Sequence, residues 1–82
     1  MARTVGVLGG MGPDATVDFM AKVIAVTPAS KDQDHVPMII DHNPQVPNRQ
    51  EALLRDGEDP GPEMARMARR LEAAGADFLV IP

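Results

Sequence analysis

The sequence predicts an α/β fold, a three-layer βαβαβ-type unit built on a parallel sheet and occupying residues 1–82 as one small domain. Three observations carry this. Short apolar runs at Val5–Leu8, Val36–Asp41 and Phe78–Ile81 have the composition of strands. Apolar residues at helical spacing fill the segments between them. The strands are separated by helices rather than by tight hairpins, which demands parallel pairing through right-handed crossovers.

The first strand, Val5–Leu8, runs into Gly9, Gly10 and Gly12, three glycines within four positions, and Pro13 follows them. Glycine admits positive φ and lets a ligand approach the backbone closely. Proline fits the first turn of a helix, where a missing N–H costs nothing. The expected helix, Asp14 to about Thr27, repeats Thr16, Met20, Val23, Ile24 and Thr27 at helical spacing, with Phe19 beside them. Asp14 in its first turn complements the helix dipole. Pro28 stops it, and the polar stretch Ala29–His35 is a surface loop.

The second strand carries Met38, Ile39 and Ile40 in an unbroken apolar run, the pattern of a parallel strand covered on both faces. Pro44 and Pro47 then forbid a regular ladder, so His42–Pro47 is an extended loop leaving the strand's carboxyl end. Asn48 followed three residues on by Glu51 resembles a capping box, opening a short helix from Arg49 to Leu54 that closes near Gly57. Asp59-Pro60 opens another helix. Met64, Met67, Ala68, Leu71 and Ala74 form its core-facing stripe, Arg66, Arg69 and Arg70 a solvated face, and Gly75 its C-cap.

Composition removes several classes of function. Net charge is −4, so the basic footprint of a nucleic-acid binder is missing. Phe19 and Phe78 are the only aromatic residues, which leaves no stacking platform for bases. No apolar run approaches the roughly 18 residues of a membrane span. The N-terminus shows no apolar signal segment, and a cytoplasmic location is expected. Cysteine is absent, which excludes disulfides, zinc–thiolate sites and thiol chemistry within these residues. His35 and His42, seven apart across a strand, make no recognised ligand spacing and are read as loop residues, so no metal site is expected.

In parallel sheets ligands bind off the carboxyl ends of the strands. Gly9–Pro13 and His42–Arg49 both leave from those ends. Three readings of the glycine turn stand at this point. It is a βα connection that needs glycine only to turn. It is an anion cradle, with the helix start offering free N–H groups and a partial positive charge. Or Gly10-x-Gly12-x-x-Ala15 is a loose dinucleotide fingerprint, with Asp41 as its ribose-binding acid. A non-catalytic fragment pairing through an open sheet edge is a further possibility of a different class.

Four segments stand out in order: Gly9-Gly10-Met11-Gly12-Pro13, Asp32-Gln33-Asp34-His35-Val36-Pro37, Asn43-Pro44-Gln45-Val46-Pro47-Asn48-Arg49 and Gly75-Ala76-Asp77-Phe78-Leu79-Val80-Ile81-Pro82. They resemble, in turn, the opening motif, the approach to the second strand, the substrate loop, and the helix end and third strand of the cofactor-independent aspartate/glutamate racemases. The likeness runs over essentially the whole chain and implies the N-terminal part of a racemase domain. It implies an acidic amino acid as small-molecule substrate, no cofactor, and a homo-oligomer for the full-length family member. It places Met11 in the turn lining the substrate pocket, Asn43 and Gln45 on the second loop, and Arg49 on the substrate's carboxylate. A cation in the first turn of a helix is mildly unfavourable, which is itself an argument that Arg49 serves a ligand.

In the family two cysteines, one on each face of the substrate, exchange the α-proton, and the third strand runs directly into the first of them. Here Pro82 stands where the residue before that cysteine would be. The expectation is a partial N-terminal domain, residues 1–82, holding substrate-binding positions but no catalytic residue. By itself it is expected to be inactive and marginally stable or self-associating.

Overall fold

The computed structural model describes residues 3–54 and 57–82. Strand β1 (Val5–Gly9) leads into helix α1 (Pro13–Val26), then a single 3₁₀ turn (Asp32–Asp34) and strand β2 (Met38–His42). Helices α2 (Arg49–Leu54) and α3 (Gly61–Ala73) precede strand β3 (Phe78–Val80). The three strands form one sheet in the order β2-β1-β3. Both pairings are parallel: Val5 lies opposite Met38 and Phe78, and Gly9 opposite His42.

This order fixes the layers. The chain steps from β1 to one side, then returns across β1 to reach β3. Two right-handed crossovers in opposite senses put α1 and α3 on opposite faces. The alternation along β1 agrees. Leu8 packs with Met67 and Leu71 of α3, while Gly9 meets Thr16 of α1. The fold is therefore the α/β, three-layer arrangement with a parallel sheet that the sequence predicts.

β1 is buried along its whole length, with Val7 fully enclosed. β2 is only half-buried, contrary to the expectation drawn from its apolar run. It is an edge strand, and an edge strand is covered on fewer sides than the central one. β3 is more open still, with Phe78 and Leu79 exposed. Strand ends also differ from expectation. β2 starts at Met38 because Pro37 has no N–H for the ladder, although its carbonyl accepts the Val5 N–H at 3.0 Å.

The core is Leu8, Met67 and Leu71, with Met11, Ile39, Val46 and Met64 among the half-buried side chains packed on it. Burying Leu8, Met67 or Leu71 is worth about 1.5–3 kcal/mol each. The α3 stripe holds from Met64 to Leu71 but not at Ala74, which is exposed. Ala74 caps the helix, and Gly75 just beyond it takes φ 105°, so the chain has left the helical path. On α1, Thr16 is buried and Phe19, Met20, Val23 and Thr27 are half-buried, but Ile24 is exposed. At 3.6 residues per turn, Ile24 lies about 80° round the helix from Thr16, off the edge of the stripe. Among the described residues no helix is long and apolar enough to cross a membrane.

Candidate functional site

The loops that follow β1 and β2 start side by side, because Gly9 and His42 are partners in the ladder. The Asn43 N–H donates to the Gly9 carbonyl at 2.9 Å, carrying the contact one residue beyond the strands. Gly10 then turns with φ 98°, in the left-handed region. A Cβ on Gly10 would lie 2.5 Å from the Asn43 carbonyl carbon, so no other residue lets these two backbones touch. On the opposite side the Gly10 N–H donates to Thr16 Oγ1 at 2.9 Å in a buried contact. A Cβ on Gly9 would meet the Thr16 methyl at 2.7 Å. The turn is thus pinned between α1 and the start of the second loop. The Met11–Gly12 peptide beyond it is cis.

Gly12 is the N-cap of α1 and has no side chain to cap the first turn, and Pro13 occupies the first helical positions. The positive end of a 14-residue helix, with backbone donors unclaimed by any side-chain cap, therefore sits at the end of the glycine turn.

The second loop is built by two asparagines. Asn43 Oδ1 accepts the Gln45 N–H at 3.1 Å, closing a local turn before the prolines. Asn48 Oδ1 accepts the N–H groups of Gln50 at 2.8 Å and Glu51 at 3.0 Å, starting α2 as its capping pattern predicts. The Gly57 N–H closes on the Glu51 carbonyl at 2.9 Å. Between the two loops lies an open cavity of about 420 Å³. Gly10, Met11 and Gly12 form one wall; Pro44, Val46 and Pro47 form the other; Asn48 and Gln50 close its end.

Met11 lies on the wall and also packs against the core. Arg49 is the first residue of α2, between two cavity-lining neighbours; its side chain lies outside the described residues. The backbone of the predicted cation and the glycine turn thus meet at the same end of the sheet. Asn43 and Gln45 are on the loop but not on the wall. Asn43 has its carbonyl engaged with Gln45, and its Nδ2 donates to Glu63 Oε1 at 3.4 Å; Gln45 is exposed. Val46 and Asn48 fall within the segment that resembles the substrate loop, but the sequence does not mark them individually as wall residues, and Gln50 lies outside that segment. A lone hydroxyl on an apolar stripe, six residues beyond Gly10, is the signal that could have marked Thr16.

Behind the second loop, charged groups tie α3 to β2. Arg70 Nη2 stands 2.7 Å from Asp41 Oδ2 and 3.7 Å from Glu63 Oε1, and Arg66 Nη2 donates to Glu63 Oε2 at 2.9 Å. The Arg66 hydrogen bond, supported by the charge of Arg66 and Arg70, holds the Glu63 carboxyl below the ordinary glutamate value. Arg66, Arg69 and Arg70 are exposed, the solvated face expected, and Arg66 and Arg70 reach carboxylates from it. One expectation changes here. Asp41 is engaged by Arg70 and is not a free acid awaiting a ribose. His35 and His42 stay off the cavity wall, and His35 Nδ1 is buried without a partner among the described residues.

Chemically, the cavity offers backbone donors, a helix N-terminus and two carboxamides. Its described lining has no titratable side chain.

Comparison with known proteins bears on this geometry. The family model described as Asp/Glu/hydantoin racemase matches residues 8–82. Among solved structures, the Picrophilus torridus aspartate racemase superposes with a TM-score of 0.92 at 38% sequence identity. The match covers 98% of this chain and 35% of that one, so the 82 residues span about a third of the length of that relative.

Proposed function

The chain belongs to the Asp/Glu/hydantoin racemase family, and from that membership we propose that its 82 residues form the carboxylate-holding part of an enzyme that inverts the α-carbon of an acidic amino acid. The observation that supports this reading is the convergence of the glycine turn, the N-terminus of α1 and the start of α2 on one cavity.

The chemistry explains the division of labour. An α-proton is very weakly acidic, and its removal builds negative charge that spreads onto the adjacent carboxylate. Fixed donors aimed at that carboxylate stabilise the charge without reorganising. The Met11–Gly12 backbone at the positive end of α1 supplies such donors. Arg49 supplies a guanidinium able to grip a carboxylate through two parallel hydrogen bonds. Met11 and Val46 give the cavity apolar surface, and Asn43 and Gln45 hold the second loop in shape. In the racemase reaction a thiolate on one face of the substrate takes the α-proton, and a thiol on the other face returns a proton to carbon. These 82 residues contain no cysteine, so both sulfur groups belong to residues outside them. The reaction needs no cofactor: both steps are proton transfers.

Calorimetric titration with L-aspartate tests the binding half. Arg49→Ala is expected to weaken it at least about tenfold, the size of one lost charge-assisted contact. A chiral assay tests the other half. The 82-residue chain should convert no L-aspartate to D-aspartate, and clear turnover would refute the assignment of proton transfer to residues elsewhere.

A further inference from the structure

We propose that Thr16 is a positioning residue for this cavity: its hydroxyl oxygen fixes the Gly10 turn and, through it, the wall that receives the substrate carboxylate. The proposal rests on the racemase reading above and concerns a residue that does not line the cavity.

Thr16 is the only buried polar residue among those described, 3% exposed on the sheet-facing stripe of α1. A hydroxyl at such a place costs free energy unless it is hydrogen-bonded, and a valine would fill the same volume with no such demand. Its partner is the Gly10 N–H. That bond occupies the first amide of the turn, and the Gly10–Gly12 segment it anchors is one wall of the cavity. The Thr16 methyl stands where a Cβ on Gly9 would point, and the Asn43 backbone stands where a Cβ on Gly10 would point, so neither glycine has room for a side chain. Gly10 is therefore held between two neighbours, the Asn43 backbone and the Thr16 hydroxyl, of which only the hydroxyl is a replaceable side-chain group. Without an oxygen at that place, the Gly10 N–H is buried and unpaired. The nearest relief is to rotate toward the water of the cavity, which swings Met11 and Gly12 with it.

Two substitutions separate positioning from packing. Thr16→Ser keeps the oxygen and removes the methyl; Thr16→Val keeps the shape and removes the oxygen. In the unmutated chain the Gly10 amide should exchange with solvent far more slowly than the Gly12 amide. L-Aspartate affinity should stay within about threefold in Thr16→Ser and fall about tenfold in Thr16→Val, with the amide shifts of Val7 and Leu71 unmoved. Equal affinity in Thr16→Val and the unmutated chain overturns the proposal. So does a Gly10 amide that exchanges as fast as Gly12 in the unmutated chain, a measurement that needs no variant to fold. If the unmutated chain shows no affinity for L-aspartate while its Gly10 amide is protected, the racemase reading is what fails, and the positioning role falls with it.

Discussion

Arg70 of α3 and Asp41 of β2 form an ion pair in which Nε and Nη2 approach the same carboxylate oxygen, at 2.9 and 2.7 Å. Asp41 is the residue before the last of its strand, so the pair anchors α3 over the point where the second cavity wall begins. The carboxylate side chain is 19% exposed and the guanidinium 52%, which places the pair between a surface bridge and a buried one. A double-mutant cycle on Asp41→Asn and Arg70→Gln should return a coupling of about 1 kcal/mol in urea unfolding. Additive losses would show that the pair contributes nothing.

The same pair weighs against a dinucleotide. The ribose acid of that reading is engaged by Arg70, and the Gly10 amide is engaged by Thr16. Millimolar NAD should leave the amide spectrum of the chain unchanged. Saturable shifts at Gly10–Gly12 would restore the nucleotide reading.

What the sequence made legible was the part governed by local physics. Glycine, proline and asparagine announce turns and caps wherever they fall, so the glycine turn, the Asn48 cap and the α3 stripe from Met64 to Leu71 were readable one segment at a time. The half-covered state of β2 was not, because Met38–Ile40 would read the same at the centre of a sheet as at its edge. Nor was the Arg70–Asp41 pair, which joins residues 29 apart in sequence, or the Thr16–Gly10 bond, where a helix stripe gives no hint of which side chain is needed for its oxygen. For the site, backbone placement could be anticipated and side-chain use could not. Asn43 could be placed on the loop from sequence, but its bonds to the Gln45 N–H and to Glu63 could not.

Asn48 makes two bonds to the first turn of a six-residue helix, and so short a helix has little else to hold it. Asn48→Ala should cost about 1 kcal/mol locally. Hydrogen exchange should show faster opening at Glu51 and Ala52, with the core amides of β1 unaffected. Unchanged exchange at α2 would mean that the cap is dispensable.

Glu63 titrates below its ordinary value because Arg66 and Arg70 favour its charged form. The unfolded chain therefore takes up this proton first as pH falls, and the stability that Glu63 confers is present above about pH 4.5 and lost below it. Glu63→Gln should flatten the acid limb of a stability profile between neutral pH and pH 3 while changing its shape little above pH 6. An acid limb identical in the two proteins would contradict the ion-pair account.

Leu71 is 2% exposed in the buried cluster it forms with Leu8 and Met67. Leu71→Ala should cost about 2–5 kcal/mol, a large share of the stability of so small a domain, and thermal unfolding should show it as loss of the cooperative transition. A variant that melts like the unmutated chain would place the core elsewhere.

The central claim, that one end of the sheet holds a carboxylate, is tested most directly by titrating the isotopically labelled chain with L-aspartate and following its backbone amides. Saturable shifts should concentrate at Met11, Gly12, Asn48 and Gln50. No shifts at saturating ligand, or shifts gathered around Val5, Met38 and Phe78 at the opposite end of the strands, would contradict it.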